Sequence, residues 1–361
     1  MKKHGILNKG MIAATLGMMA LSSAGMAAAG TVDDIRFETV ADYSSSFWYK
    51  DFQQPYFETT LPEASGGKLT ANAVPFDQLG LTGFELMKLL RTGVYDIASG
   101  SLAYVTQDSP EMEGASLAAV TPDIASFKAA YEAYRPVLDR EFAEKYNSKL
   151  LAIYAWPQSQ LYCNLGDKSR TDLSLADLEG KKIRSFGTAI SDFIEGLGAV
   201  PVAIPFAEVV TALQRGTADC FMASSLSAYN AKLYQVVTHV FPLNANYSAS
   251  YVAINLDTWN SLTPEAQAVL ETSMTDLQAR MLDQTAEYES GSQACMGSGD
   301  CPYGENGNLT EVALSDDDLA KVKGIIETVI LPRWADRCGS ERCIDDWNAT
   351  VGPVVGYSIA K

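Results

Sequence analysis

The sequence predicts an α/β protein with two domains, each built around a mostly parallel β-sheet. Strand-like and helix-like segments alternate over residues 35–100 and again over 181–240. This alternation is typical of units in which a helix connects two parallel strands. A third segment keeps apolar residues at helical spacing from Pro264 to about residue 290. Since one small domain does not need so long a helix, we expect it to brace both domains, for which 361 residues leave room.

The first domain, or lobe, opens on an alternating strand and an aromatic-rich helix. Parallel strands place ligands at their carboxyl ends, so we expect binding residues there. The predicted elements are a strand at 35–40, a helix at 47–61, strands at 69–74 and 95–100, and helices at 84–92 and 124–145.

The second lobe begins with two strands, 150–156 and 161–164, which the segment 157–160 is expected to separate because it contains Pro157. The alternation then resumes. Strands are predicted at 181–186, 200–204 and 220–223, and helices at 191–197, 206–216 and 227–236.

The chain then returns to the first lobe. A strand at 251–256 and the long helix follow, and the helix has a Ser or Thr cap before Pro264. A loop at 295–308 and a helix at 316–334 complete the prediction. The expected boundaries are 30–152 with 248–288 for the first lobe, and 153–247 with 289–361 for the second.

Residues 1–29 read as a secretory signal peptide: a basic start, an apolar run too short to span a bilayer, and three alanines before Gly30. The mature protein is expected to be exported, without a lipid anchor or stable membrane insertion. Cleavage removes three lysines and no acid, which takes the formal charge from −17 to −20. Such a charge argues against nucleic acid as a partner.

All six cysteines follow the signal peptide. In an oxidising compartment an even number suggests disulfides, although six cysteines allow fifteen pairings. Close spacing along the chain favours two cysteine pairs, and the two remaining cysteines then form the third pair. A zinc site formed by the four late cysteines is the alternative, but their spacing is loose. The favoured pairs are Cys163 with Cys220, Cys295 with Cys301, and Cys338 with Cys343.

Histidine is nearly absent from the mature chain, where only His239 remains. One histidine is too few for a histidine-rich metal site. It also argues against catalytic triads and most histidine-based acid–base mechanisms. We expect His239 to be a packed or surface residue, with no metal and no catalytic role.

Arg184 lies in the predicted strand 181–186, just before the start of a predicted helix. A guanidinium offers a planar set of donors that matches a carboxylate, and a nearby helix N-terminus adds positive potential. The alternative is a surface arginine, or one half of an internal ion pair. The pattern that flanks Arg184 decides between these interpretations.

That pattern resembles the substrate-binding proteins of TRAP (tripartite ATP-independent periplasmic) transporters, the DctP-like family. Residues 175–184 (LADLEGKKIR) follow the family's D-L-x-G-x-K-I-R, and 197–219 (LGAVPVAIPFAEVVTALQRGTAD) its L-G-A-x-P-V and E-V-x-x-A-L-Q-x-G-x-x-D. The segments SGGKL at 65–69, PFDQLG at 75–80 and LLRTGVYDI at 89–97 resemble its amino-terminal pattern. The resemblance covers most of residues 35–262.

The resemblance implies a two-lobe periplasmic binding protein fold, with a hinged cleft and a long helix lying across both lobes. It further implies a periplasmic solute-binding protein, without enzymatic activity or cofactor, that captures an organic acid and delivers it to the TRAP membrane permease subunits. Arg184 then grips the carboxylate. Phe206 falls where the family places an aromatic wall of the pocket.

Other cleft residues are expected at strand ends. For the serines near residue 44 the alternative is that they cap the next helix, and for Trp48 that it belongs to the core. The first lobe is expected to contribute Ser44, Trp48, Ser101 and Tyr104, and the second Trp156, Gln160, Arg184, Phe206 and Ser224.

Two departures from the family pattern bear on the ligand. Members that bind sialic acid have Q-E-N-P after a strand, where this chain has FMAS with Ala223 at the asparagine position, and their second arginine is missing near 158–161. Together with Trp156, Tyr162 and Phe221 this favours an aromatic or branched-chain acid. A C4-dicarboxylate remains an alternative, but it would need a second cationic group.

Two other functions fit parts of the sequence. A periplasmic partner of a sensor kinase can share this fold and differ only in the protein it docks to. An exported hydrolase would need two carboxylates within about 10 Å, and nothing in the sequence pairs them.

Overall fold

The computed structural model describes residues 34–360. The predicted signal peptide at 1–29 lies outside the described residues. Within the described part of the chain, each helix is too short or too polar to cross a membrane.

The described residues contain ten strands, eight of which form a continuous path in the order β2-β1-β3-β9-β4-β7-β5-β6. The remaining two, β8 and β10, pair with each other, and β8 also pairs with β4. The strands are β1 Ile35–Ala41, β2 Leu69–Pro75, β3 Ile97–Ser101, β4 Ser148–Cys163, β5 Lys182–Ser185, β6 Val200–Ala203, β7 Cys220–Ser224, β8 His239–Phe241, β9 Tyr247–Asn255 and β10 Thr310–Glu311.

Each end of this path contains the predicted parallel unit. In the first lobe β1 lies parallel to β2 and β3, and β3 is antiparallel to β9. In the second lobe β5 lies parallel to β6 and β7, and β7 is antiparallel to β4. The carboxyl ends of β1, β3, β5 and β7 therefore carry the loops from which a parallel sheet builds a site.

Strand β4 joins the two lobes, and here the predicted break at 157–160 is wrong. Its 16 residues run unbroken, pairing with β9 as far as Gln158 and with β7 from Ser159 onward. The register with β9 shifts between Ala155 and Gln158. A bulge tolerates Pro157 because a residue at such an irregularity need not donate to the ladder.

The described residues also form eleven α-helices. Short 3-10 turns precede or replace several of them, and the segments Trp48–Gln53, Tyr56–Thr60 and Ile326–Ile330 are π-helical. The helices are α1 Leu61–Ala64, α2 Leu86–Arg91, α3 Ile124–Tyr146, α4 Thr188–Gly196, α5 Val209–Gln214, α6 Ser225–Asn230, α7 Leu256–Ser261, α8 Pro264–Met296, α9 Asp316–Ile325, α10 Leu331–Cys338 and α11 Glu341–Val355.

Helix α8 is the predicted brace. The Thr263 side chain caps it by accepting from the Ala266 N–H. The helix packs along β4 and contacts both lobes. Its Ser273 hydroxyl lies 2.8 Å from Tyr56 Oη of the first lobe, and its Ser292 hydroxyl 2.8 Å from Ser225 Oγ of the second.

All three predicted disulfides are present. Cys163 and Cys220 are direct partners in the β4–β7 register. Cys295 lies in the last turn of α8, so the loop closed by its disulfide begins inside the helix. His239 is packed, as predicted: it is fully buried, with its ring nitrogens near Thr238 Oγ1 and the Arg170 carbonyl.

The last two helices contact the first lobe, and α10 also pairs with α4 of the second lobe through Arg333 and Arg337. Helix α11 contacts α3, and Trp347 Nε1 donates to the Gly114 carbonyl at 2.7 Å. Trp334 Nε1 of α10 donates to the Pro110 carbonyl at 2.9 Å. Helix α11 contains Pro353 close to its C-terminal end. The predicted lobe boundaries remain a prediction.

Candidate functional site

A cleft with about 600 Å³ of open space, part of it continuous with solvent, lies where the two halves of the sheet meet. Strand ends of both lobes and the irregular part of β4 contribute its walls. It is lined by Asp42, Tyr43, Phe76, Gly83, Leu86, Gly100, Ser101, Tyr104, Trp156, Ser159, Arg184, Phe186, Phe206, Ala223, Ser224, Ser227, Ser248 and Ser250.

Arg184 of β5 is the cationic residue of this cleft, and only 2% of its surface is exposed. Its Nε donates to the Ile204 carbonyl at 2.9 Å and its Nη1 to the Met222 carbonyl at 2.8 Å. Among the described residues no carboxylate lies within ion-pairing distance of the guanidinium. A guanidinium has five N–H donors, so these two bonds fix its orientation and leave donors unused.

The electrostatics of Arg184 are those of an uncompensated buried cation. Burial lowers its pKa, and the nearby Tyr104 hydroxyl opposes that effect. The guanidinium carbon lies 5.1 Å from the centre of the Phe186 ring and 5.8 Å from that of Phe206. Ring faces stabilise a cation only in part, because they supply no countercharge.

Tyr104 approaches Arg184 from the first lobe, on the turn that follows β3. Its hydroxyl accepts a hydrogen bond from the Phe206 N–H at 3.3 Å, and its ring stacks on Phe84 at 4.2 Å. Gly83 permits that position, because a Cβ there would lie 2.8 Å from a carbon of the Tyr104 ring. The contact thus connects the two lobes across the cleft.

Aromatic rings form the apolar part of the cleft. Trp156 of β4 stacks on Tyr43 with ring centres 5.7 Å apart, and Tyr43 lies 5.3 Å from Phe206. The indole Nε1 donates to the Ser250 hydroxyl at 3.0 Å, which fixes the Trp156 ring. These rings suit an apolar or planar ligand body.

One buried hydroxyl group of the cleft, Ser159 Oγ, lacks a hydrogen-bond partner among the described residues, whereas the Tyr43 hydroxyl has Ser227 and Asn230 beside it. Ser159 is fully buried, and only 9% of Tyr43 is exposed. Buried polar atoms are nearly always paired, so this hydroxyl is available for a hydrogen bond to a ligand. By contrast, Ser224 is engaged at the start of α6, where its hydroxyl lies 2.7 Å from Ser227 Oγ.

Asp42, the residue after β1, adds a carboxylate that the sequence analysis did not single out. Only 7% of it is exposed. Its Oδ1 accepts from the Tyr43 N–H at 2.8 Å and its Oδ2 from the Tyr154 hydroxyl at 3.2 Å. Burial raises its pKa from 3.8 to about 7, more than these bonds lower it.

Six of the nine predicted ligand-binding residues line the cleft: Ser101, Tyr104, Trp156, Arg184, Phe206 and Ser224. Three do not. Ser44 is bonded to Asp77 through both its N–H and its hydroxyl, at 2.7 and 2.6 Å. Gln160 holds Asn244 through two bonds of 2.6 and 2.9 Å. Trp48 is a fully buried core residue behind Trp156, which is the alternative stated above.

Tyr162 and Phe221, which favoured an aromatic ligand, also lie elsewhere. They stack on each other at 4.9 Å in the core of the second lobe. The apolar walls instead include Tyr43, Phe76 and Phe186. Asp42 and Tyr43 are the two residues that directly precede the predicted Ser44. The polar residues after β1 therefore indicated the correct loop, and the cleft residues lie one and two positions before the predicted one.

The sequence matches the family model DctP, bacterial extracellular solute-binding protein, family 7, over residues 38–300. A relative is the C4-dicarboxylate-binding periplasmic protein DctP of Rhodobacter capsulatus, 26% identical over 215 residues. The match covers 53% of this chain and 64% of the relative, just under two thirds of its length.

Two crystal structures share the fold. DctP7, a Bordetella pertussis extracytoplasmic solute receptor binding pyroglutamic acid, superposes with a TM-score of 0.76 at 17% identity, covering 87% of this chain and 99% of that one. A TRAP periplasmic solute-binding protein of Desulfovibrio salexigens with bound orotic acid gives 0.77 at 15% identity, covering 88% and 99%. The predicted two-lobe α/β fold is thereby confirmed.

Proposed function

The chain belongs to bacterial extracellular solute-binding protein family 7, and we propose that it is the periplasmic receptor of a TRAP transporter for a small organic acid. Arg184 holds the carboxylate of the ligand in the interlobe cleft. The loaded receptor then delivers the acid to the membrane permease. The protein carries out no reaction on its ligand.

A single observation carries this proposal: Arg184 is almost fully buried and has no carboxylate partner among the described residues. An isolated buried charge is costly, and a protein normally pairs it or leaves it exposed. Here the guanidinium is held by two main-chain carbonyls and faces a cleft. A ligand carboxylate supplies the missing countercharge through charge-assisted hydrogen bonds.

The chemistry of the walls narrows the acid. Arg184 is the one lysine or arginine among the described residues that line the cleft, so one carboxylate is neutralised there. The aromatic walls favour an apolar or ring-shaped body. Pyroglutamic acid and orotic acid, found in the two structures of the same fold, are small cyclic monocarboxylic acids. A C4-dicarboxylate would place its second charge near Asp42.

The test is calorimetric titration of the mature protein with pyroglutamate, orotate, phenylacetate and 2-oxoisocaproate. At least one acid should bind and be recovered unchanged. Arg184→Ala should weaken its binding by about 30-fold or more, the usual cost of removing a desolvated charge partner. Arg184→Lys should keep the charge but lose the two-donor geometry, with an intermediate loss.

Arg215→Ala is the matched control, because Arg215 is an exposed arginine of the same lobe outside the cleft. It should bind the acid as the wild type does. A loss below threefold for Arg184→Ala would place the carboxylate elsewhere and overturn the proposal. Consumption of the acid would instead indicate an enzyme.

A further inference from the structure

We propose that Asp42 is a specificity-determining residue that accepts a hydrogen bond from the ligand, so that the preferred ligand is an organic acid carrying a hydroxyl or N–H donor on its apolar body. This inference rests on the proposed function, since it takes the carboxylate at Arg184 as given. It adds a second polar contact, supplied by the other lobe.

The position of Asp42 makes this contact possible. It follows β1 of the first lobe, whereas Arg184 lies on β5 of the second, and both line the same cleft. The rings of Tyr43 and Phe206 form a continuous apolar wall connecting them: Tyr43 follows Asp42 in the chain, and Phe206 lies against the guanidinium. A ligand that spans the cleft meets a donor group at one lobe and an acceptor group at the other.

The bonding of Asp42 leaves acceptor capacity. Each carboxylate oxygen has about two acceptor positions, and the Tyr43 N–H, the Tyr154 hydroxyl and the Ser46 hydroxyl occupy three of them. Gln53 bonds the main-chain N–H of Asp42 at 2.9 Å and the Tyr154 hydroxyl at 3.2 Å, which orients this group of residues. One further donor, from the ligand, fits the remaining acceptor position.

The charges around Asp42 explain why a donor is favoured over a second anion. Among the described residues no cationic side chain is among the groups that shift its pKa, which besides burial are the Tyr43, Tyr154 and Ser46 donors and the negative charge of Asp77. A second ligand carboxylate there would meet like charges in a buried setting. A hydroxyl or N–H group would gain a charge-assisted hydrogen bond instead.

The buried Ser159 hydroxyl lines the same cleft and has no hydrogen-bond partner among the described residues, and the Tyr43 hydroxyl has only Ser227 and Asn230 beside it. Each can donate to or accept from a ligand hydroxyl. A ligand with an entirely apolar body would leave the Ser159 hydroxyl and the free acceptor position of Asp42 without bonds. The free-energy cost of these unpaired buried groups weakens binding of the donor-free acid and so increases the preference for the donor-bearing acid.

The experiment compares matched acids at pH 8, where Asp42 is mostly ionised. The pairs are 4-hydroxyphenylacetate with phenylacetate, mandelate with phenylacetate, and pyroglutamate with cyclopentanecarboxylate. We expect the wild type to prefer the donor-bearing member of at least one pair by about tenfold or more, as for a hydrogen bond to an ionised group. Asp42→Ala should reduce that ratio to about threefold or less by weakening only the donor-bearing acid.

Asp42→Asn keeps the side-chain shape and should also reduce the preference for the donor-bearing acid. It provides the test if Asp42→Ala does not fold. Asp283→Asn, in an exposed ion pair with Lys128, should leave the ratio unchanged. The inference fails if no pair is discriminated while Arg184→Ala still abolishes binding. It also fails if both Asp42 variants weaken both members equally. If none of these acids nor those tested above binds the wild type, the proposed function itself fails.

Discussion

The carboxylate of Glu113 accepts a hydrogen bond from the main-chain N–H of Ala189 at 3.1 Å and thereby caps helix α4. Its other oxygen accepts from the Thr188 hydroxyl and lies 3.2 Å from Nη2 of Arg337. Glu113 belongs to the turn at Pro110–Ser116, far from α4 in sequence. One buried carboxylate thus joins three separate segments next to the strand that carries Arg184.

Glu113→Ala should destabilise the protein by about 2 to 4 kcal/mol. The substitution removes a buried charge from Arg337 and leaves the amide of Ala189 without its acceptor. Urea unfolding followed by circular dichroism measures the loss. Glu63→Ala, which removes an exposed glutamate of the same lobe, should stay within about 0.5 kcal/mol of the wild type. Equal midpoints for the two variants would contradict the role given to Glu113.

Asp42 should make the protein less stable as the pH rises from about 4 to about 7. Its pKa is 3.8 in the reference state and about 7 in the folded protein, so the folded protein binds the proton more tightly in that window. Unfolding then releases a proton, and the free energy of unfolding falls with pH by up to about 4 kcal/mol from this group.

Asp42→Asn removes this titration. Its free energy of unfolding should vary less between pH 4 and pH 7, and at pH 8 the variant should be the more stable protein. Urea titrations at a series of pH values give both profiles. Parallel profiles for the wild type and the variant would show that Asp42 does not titrate as described.

Gly187→Ala should weaken ligand binding about three- to tenfold. A Cβ at Gly187 would lie 3.1 Å from the Ala103 Cβ and 3.3 Å from its carbonyl oxygen, so the added methyl group separates the two lobes where they touch. The free energy of unfolding should change by less than about 1 kcal/mol. Titration with the bound acid measures the effect. Gly324→Ala, with open space around its Cβ, should bind normally.

The disulfides should contribute to stability in the order of the loops they close. Cys163 and Cys220 are 57 residues apart and Cys295 and Cys301 are six apart. By chain entropy the double replacement of the first pair by alanine costs about 4 kcal/mol and that of the second about 2 kcal/mol. Urea unfolding of the two double variants measures both losses. A larger loss of stability for the short loop would contradict this order.

The sequence predicted the fold well because its signals were local and repeated. Alternating strands and helices placed Arg184 at the end of a buried strand, and helix α4 begins at Thr188, three residues before its predicted start. The cap at Thr263 and the three cysteine pairs were predicted from short-range chemistry. These features do not depend on how distant segments pack.

The site was predicted less completely because its lining depends on side-chain direction. Pro157 suggested a break, but a bulge lets β4 continue, so Ser159 rather than Gln160 lines the cleft. A break and a bulge look alike in sequence. The burial of Trp48 and the exposure of Tyr43 to the cleft likewise follow from ring packing among distant segments, which periodicity does not encode.

Strand β4 carries Trp156 and Ser159 at the point where its pairing changes from β9 to β7. A rotation of one lobe relative to the other therefore bends the backbone next to these two side chains. The same few residues of β4 would then form both the hinge between the lobes and a wall of the cleft. A substitution there would change the lining of the cleft and the connection between the lobes together, so its effects on affinity and on the rate of ligand release could not be separated.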